Sequence, residues 1–207
     1  MPLIHHQQLN AFTKIGVWHI TEAEIFFLQY VPLQRSITHP NKRLQHLAGR
    51  FLLRELFPHF PLSLIQIADT RKPFLEDEAF HFSISHCGDY AAAIVSTKDR
   101  VGVDIEIPHQ KIEKIQHKFL SDEEKELLIN THQNRIEILT MAWSMKEAMF
   151  KWYGLGEVDF IKHMQILTLH KNEKGYSVSC IFKKQSPIEL KLENILVEGN
   201  NLAWVIT

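Results

Sequence analysis

The chain has 207 residues, 45% of them hydrophobic, enough for one globular domain or two small ones with a real core. Its 23 basic and 24 acidic residues leave a formal net charge of -1, which excludes a strong field for nonspecific nucleic-acid binding. Cys87 and Cys180 are the only cysteines, which excludes a disulfide scaffold or a zinc ribbon, and the chain shows neither a secretory signal nor a run long enough to span a membrane. A soluble protein of a reducing cytoplasm is therefore expected.

Residues 1–9, with His5-His6, read as a frayed end. Residues 16–20 predict a first strand, and Thr21 is placed to cap a helix opening at Glu22-Ala23-Glu24-Ile25. Residues 32–40, flanked by two prolines, interrupt the pattern. From 42 to 57, Leu44, Leu47, Phe51, Leu52 and Leu56 recur at helical spacing and stop before Pro58, as expected of a buried helix. Strands are predicted over 63–68, 80–85 and 91–96, with Gly88-Asp89 turning between the last two, and over 101–107, continuing the same sheet.

Beyond it, Ser121-Asp122-Glu123-Glu124 has the form of a capping box. A longer helix is expected over 134–152, with Gly154 to stop it. Residues 164–169, 176–182 and 202–206 read as later strands. The class is α+β, with two linked subdomains, 1–100 and 101–207, dividing near Asp99-Arg100.

Two segments carry most of the chemistry. In Val101-Gly102-Val103-Asp104-Ile105-Glu106 the period-2 alternation points Asp104 and Glu106 the same way, as on a half-buried strand. In Trp143-Ser144-Met145-Lys146-Glu147-Ala148-Met149-Phe150-Lys151, Glu147 and Lys151 stand four apart and share a helix face. If that strand and helix pack together, three carboxylates and two ammonium groups meet. Two carboxylates side by side repel, and a hard divalent cation relieves them; Mg²⁺ takes one or two carboxylates together with substrate phosphates. Separately, each segment also fits a plain structural role: a solvated strand face, or an exposed helix ion pair contributing about 0.2–0.5 kcal/mol. Ser85 and His86 are neighbours on a predicted strand and face opposite ways, so they do not form a nucleophile and base pair. The remaining histidines, among them His109, His117 and His132, fall at scattered spacings without forming a metal cluster.

The combination resembles the paired signature of the 4'-phosphopantetheinyl transferase superfamily, (I/V)-G-(I/V)-D-x-E followed by (F/W)-(S/C/T)-x-K-E-(A/S)-x-x-K. Both halves match without a gap. The larger Sfp-type and enterobactin-type branch is resembled further by Phe82-Ser83-Ile84-Ser85-His86-Cys87-Gly88-Asp89-Tyr90, by Arg71-Lys72-Pro73-Phe74, and by the segment from Lys42-Arg43 through Leu47-Ala48-Gly49-Arg50. The match covers residues 42–151 in pieces.

The resemblance implies two similar α+β subdomains related by a pseudo-two-fold axis, with coenzyme A between them, in a monomer. It implies transfer of 4'-phosphopantetheine from coenzyme A to a serine of an acyl, peptidyl or aryl carrier protein, with release of 3',5'-ADP. Asp104, Glu106 and Glu147 would ligate Mg²⁺ or Mn²⁺. Arg43, Arg50, Arg71, Lys72, Pro73, Ser85, His86, Lys146 and Lys151 would contact coenzyme A, with Arg50 equally suited to a structural ion pair. Glu147 is the first candidate for the proton acceptor and Glu124 the second, with Lys151 steadying the phosphates. Lys111, Lys114 and Lys118, sharing a face if helical, form a stripe suited to an acidic carrier helix.

Overall fold

The computed structural model describes residues 2–33, 36–131 and 134–207, so His132 lies outside the described residues. The chain divides into two compact units, Met1–Val101 and Gly102–Thr207. Among the described residues no helix is long and apolar enough to cross a membrane.

In the first unit, β1 (Leu3–Gln8), β2 (Thr13–His19), β5 (His81–Cys87) and β6 (Tyr90–Ser96) form an antiparallel sheet in the order β1-β2-β6-β5. The end expected to fray is thus an edge strand, its backbone paired with β2 from Leu3 to Gln8 although His and Gln give no apolar alternation. The helix α2 (Pro40–Leu56) lies across β6 and β2 and buries Leu47, Leu52 and Leu56 against Phe82, Ala93 and Val95. Such a side chain stabilises by about 1.5–3 kcal/mol on burial. The helix α1 (Glu24–Leu28) is capped by Ala23 without a side-chain bond, so Thr21 does not serve as the expected cap. Residues 63–68, expected as one strand, divide into a 3-10 turn (Leu62–Leu64) and the short β3 (Gln66–Ile67), which pairs with β4 (Pro73–Phe74).

In the second unit, β7 (Val101–Glu106), β8 (Met164–Lys171), β9 (Gly175–Phe182), β10 (Ile188–Val197) and β11 (Asn200–Ile206) form a sheet in the order β7-β11-β10-β9-β8. Two expectations are corrected here. β7 does not continue the first sheet: it is an edge of the second, beside β11. β10 went unpredicted, although Leu190 and Leu192 alternate with Glu189, Lys191 and Glu193 as a one-face-buried strand requires.

The helix α5 (Arg135–Tyr153) packs on this sheet, burying Met145, Ala148, Met149 and Trp152. Asn134 caps its start by accepting from the Ile136 and Glu137 amides, and Gly154 ends it at φ 75°, a left-handed conformation open to glycine. The short α3 (Lys111–Ile115) passes into a 3-10 turn (Gln116–Lys118), and α4 (Asp122–Ile129) opens with the expected capping box, both of its bonds present.

Candidate functional site

Gly102 explains how β7 reaches α5. A Cβ at this position would collide with the Ala148 carbonyl and come within 2.7 Å of the Trp152 amide. Only a residue without a side chain lets the strand backbone lie on the helix backbone. That close approach sets Asp104, one pleat further on, against the helix turn carrying Glu147 and Lys151. Asp104 is 2% exposed, so this strand is buried rather than half-buried, and its Oδ1 accepts from Lys151 Nζ at 2.6 Å.

Glu147 lies within electrostatic range of the same group. Its carboxyl is pushed up to about 7, first by burial and then by the charge of Asp104, with Glu106 adding and Lys151 opposing. Glu106 accepts a hydrogen bond from the Trp143 indole Nε1 at 3.3 Å, and that indole stacks on Phe160 and meets Phe119 edge-on. Strand and helix thus bring together Asp104, Glu106, Glu147 and Lys151. Among the described residues no three of His, Cys, Asp or Glu are gathered closely enough to hold an ion as they stand. The donor set nevertheless fits a hard cation: three carboxylates, one already driven toward protonation by burial first and by the other two second.

Glu124 and Lys146 have another part. Lys146, with no exposed surface, pairs with Glu124 at 2.7 Å and donates to the carbonyls of Phe119, Phe160 and Met164 at 2.5, 3.0 and 2.9 Å. Burial pushes the Lys146 ammonium down, and Glu124 opposes that. The Glu124 carboxylate also accepts from the Ser121 and Ile166 amides. Both side chains are occupied in a closed, buried network, so the site proposed below leaves out Glu124 as proton acceptor and Lys146 as a coenzyme A contact. Their pairing across 22 residues has no sequence periodicity to reveal it.

In the first unit the expected residues lie on several elements. Arg43, on α2, is held by both carboxylate oxygens of Glu24 at 2.8 Å and donates to the Ile37 carbonyl. Arg50 is 8% exposed and within 3.0 Å of His46 Nδ1, one turn back on the helix. Arg71, exposed at φ 66°, and Lys72 sit in the connection between β3 and β4, with Pro73 opening β4. Lys72 is pushed down to about 8, by burial first and by Arg100 second. Arg100 is therefore a cation of this region that motif spacing did not single out. On β5, Ser85 is 5% exposed and His86 is exposed, the opposite facing expected of strand neighbours. Lys111, Lys114 and Lys118 are all exposed, but the change to 3-10 winding at Gln116 breaks the single helical stripe expected of them.

The model of the 4'-phosphopantetheinyl transferase superfamily matches residues 100–206, which include β7, α5 and the acidic cluster. The chain belongs to this superfamily. Enterobactin synthase component D of Escherichia coli strain K12 is 30% identical over 144 residues, covering 68% of each chain. The protein of the same name from Salmonella austin is 33% identical over 114 residues, 55% of this chain and 48% of that one. L-aminoadipate-semialdehyde dehydrogenase-phosphopantetheinyl transferase of Xenopus laevis is 28% identical over 130 residues, 53% of this chain and 43% of that one. A Haemophilus influenzae relative aligns over 61% of its length, so the chain spans about half to two thirds of the bacterial relatives it matches.

Proposed function

We propose that this protein transfers the 4'-phosphopantetheine arm of coenzyme A to a serine hydroxyl of an apo acyl, peptidyl or aryl carrier protein, releasing 3',5'-ADP. The observation that carries the reading is the coupling of Asp104, Glu106, Glu147 and Lys151 across β7 and α5, within the segment that matches the superfamily. The names of the relatives from Haemophilus influenzae and Xenopus laevis, each a phosphopantetheinyl transferase by name, support the same chemistry.

Asp104, Glu106 and Glu147 would hold Mg²⁺ or Mn²⁺, and the chemistry such a cation would supply here is neutralisation of phosphate charge. Lys151, at 2.6 Å from Asp104, adds an ammonium to the same phosphates. Arg43, Arg50, Arg71, Lys72, Ser85 and His86 would hold the nucleotide end, and Arg100 joins them beside Lys72. Lys72, depressed first by burial and second by Arg100, is an ammonium that a phosphate counter-charge would favour. In the transfer, the carrier serine oxygen bonds to the phosphorus bearing the pantetheine arm, the bond from that phosphorus to 3',5'-ADP breaks, and the serine proton passes to a base. A carboxylate of the cluster, or a water held by one, must take that proton, and Glu147, on the face of α5 that meets Asp104, is the first candidate. The expectation of two similar subdomains belongs to this reading, and each unit presents one long helix laid on one sheet. So do a monomer and a cytoplasmic location.

The test is incubation with coenzyme A, Mg²⁺ and a panel of apo carrier proteins, followed by intact mass measurement. A gain of one phosphopantetheine on a carrier serine is expected. Unchanged carriers throughout, with folded protein present, would overturn the proposal.

A further inference from the structure

Asp104 is claimed twice. It is a ligand of the cation in the reading above, and its Oδ1 also accepts from Lys151 Nζ at 2.6 Å, a short charge-assisted bond. The Asp104 side chain is 3% exposed, so the pair is made where little water screens it. On either oxygen of that one carboxylate a divalent ion would stand beside the ammonium, and like charges enclosed together repel strongly. Lys151 and the cation are therefore rivals for the same group.

Which of the two partners in the ion pair can leave is set by the packing. The Gly102 backbone lies against the Ala148 carbonyl and the Trp152 amide, on the turn of α5 that also carries Lys151, so β7 has no room to draw closer or slide along the helix. Asp104 is fixed with its strand. Lys151 is not: its side chain is 25% exposed, and its ammonium ends a flexible four-carbon stem that can turn to a partner outside. Lys146, the other lysine of the same helix segment, lacks that freedom, being fully enclosed and bonded to Glu124 and to the carbonyls of Phe119, Phe160 and Met164. A phosphate is a partner suited to draw Lys151 away, because it accepts charge-assisted bonds and brings negative charge of its own.

We infer that Lys151 competes with the divalent cation for Asp104 and that a diphosphate relieves the competition by taking the ammonium, so that cation and diphosphate enter the site together more readily than either does alone. This rests on Asp104, Glu106 and Glu147 being the metal ligands, as proposed above, and adds to that reading a control on loading: the cluster holds its cation loosely until a phosphate of the co-substrate is there to receive Lys151.

The test follows free Mn²⁺ by electron paramagnetic resonance as it is titrated into the full chain, with and without coenzyme A and with no carrier protein present. Lys151→Met, which keeps an unbranched stem and removes the charge, should bind Mn²⁺ alone at least about tenfold tighter than the wild type. Coenzyme A should tighten Mn²⁺ binding in both, by a factor at least about threefold smaller in Lys151→Met, because only the wild type has a competitor to displace. Lys151→Gln is expected to behave alike and stands in if Lys151→Met does not fold. Mn²⁺ binding by the folded variant that is weaker than wild type, or within about twofold of it, overturns the inference and leaves the metal site in place. Should neither variant fold, a wild-type Mn²⁺ affinity that coenzyme A leaves unchanged overturns it as well. Absence of Mn²⁺ binding by wild type and variant alike, up to about 10 mM, overturns the metal reading itself.

Discussion

Asp104 and Glu147 illustrate how little of a residue's chemistry its type alone reveals. Both are acids on buried elements, yet one is tied to an ammonium and the other is driven toward protonation by burial, with Asp104 adding. Substituting Asp104→Asn or Glu147→Gln, each nearly isosteric, should lower carrier modification by at least about 100-fold with the circular dichroism unchanged. Near-normal transfer by both variants would remove the cluster from the mechanism. Trp143→Phe keeps the stacking on Phe160 and Phe119 but loses the bond to Glu106. It should weaken Mn²⁺ binding, measured calorimetrically, by about three- to tenfold while Tm stays close to wild type; unchanged affinity would confine the indole to packing. Lys72 supplies a pH dependence. Its folded pKa of about 8 lies below its ordinary 10.5, so the folded chain binds fewer protons than the unfolded chain between those values. Stability from this group therefore rises as pH goes from about 8 to 10.5, and its full cost applies below 8. Lys72→Met should raise Tm at pH 7, with the gain fading toward pH 10.5; a gain independent of pH would contradict this.

At the scale of elements, β7 and α5 were legible because their patterns are local: a period of two around Asp104, and helical apolar spacing from an Asn cap to a Gly stop. The capping box at Ser121 was legible for the same reason. What escaped depends on partners distant in sequence. The sheet to which β7 belongs is decided by β11, about a hundred residues later, and β1 is held as a strand by β2 rather than by its own propensity. The burial of the Glu124–Lys146 pair likewise follows from the packing of α4, α5 and β8. The close approach of β7 to α5 gives this scale its own prediction. Gly102→Ala should cost at least about 3 kcal/mol, a fall in Tm of about 6–12 °C, because the added methyl meets backbone rather than a yielding side chain. A Tm within about 2 °C of wild type would mean that strand and helix can separate cheaply.

For the whole molecule, charge is nearly balanced overall and unevenly spread, with cations exposed along 111–118. Reversing Lys114 and Lys118 to Glu together should raise the KM for an acidic carrier by about tenfold and leave the KM for coenzyme A unchanged. Equal rises in both would show damage to the fold rather than to docking. The proposed transfer should also stop on chelation and return with Mg²⁺ or Mn²⁺, read by carrier mass. Activity in excess chelator would exclude the metal role assigned to the acidic cluster.

The single carboxylate of Glu124 bonds to the Ser121 amide at the start of α4, to Lys146 on α5 and to the outward amide of Ile166 on the edge strand β8. Ile166 sits where the pairing of β8 with β9 shifts register, a place where an edge strand ordinarily leaves its amide to water. Its hydrogen is thereby locked to a group that two other elements also hold, so it should exchange with solvent only when all three come apart together. An amide at the rim of the sheet would then exchange as slowly as one at its centre, and α4, α5 and β8 would open as one cooperative unit.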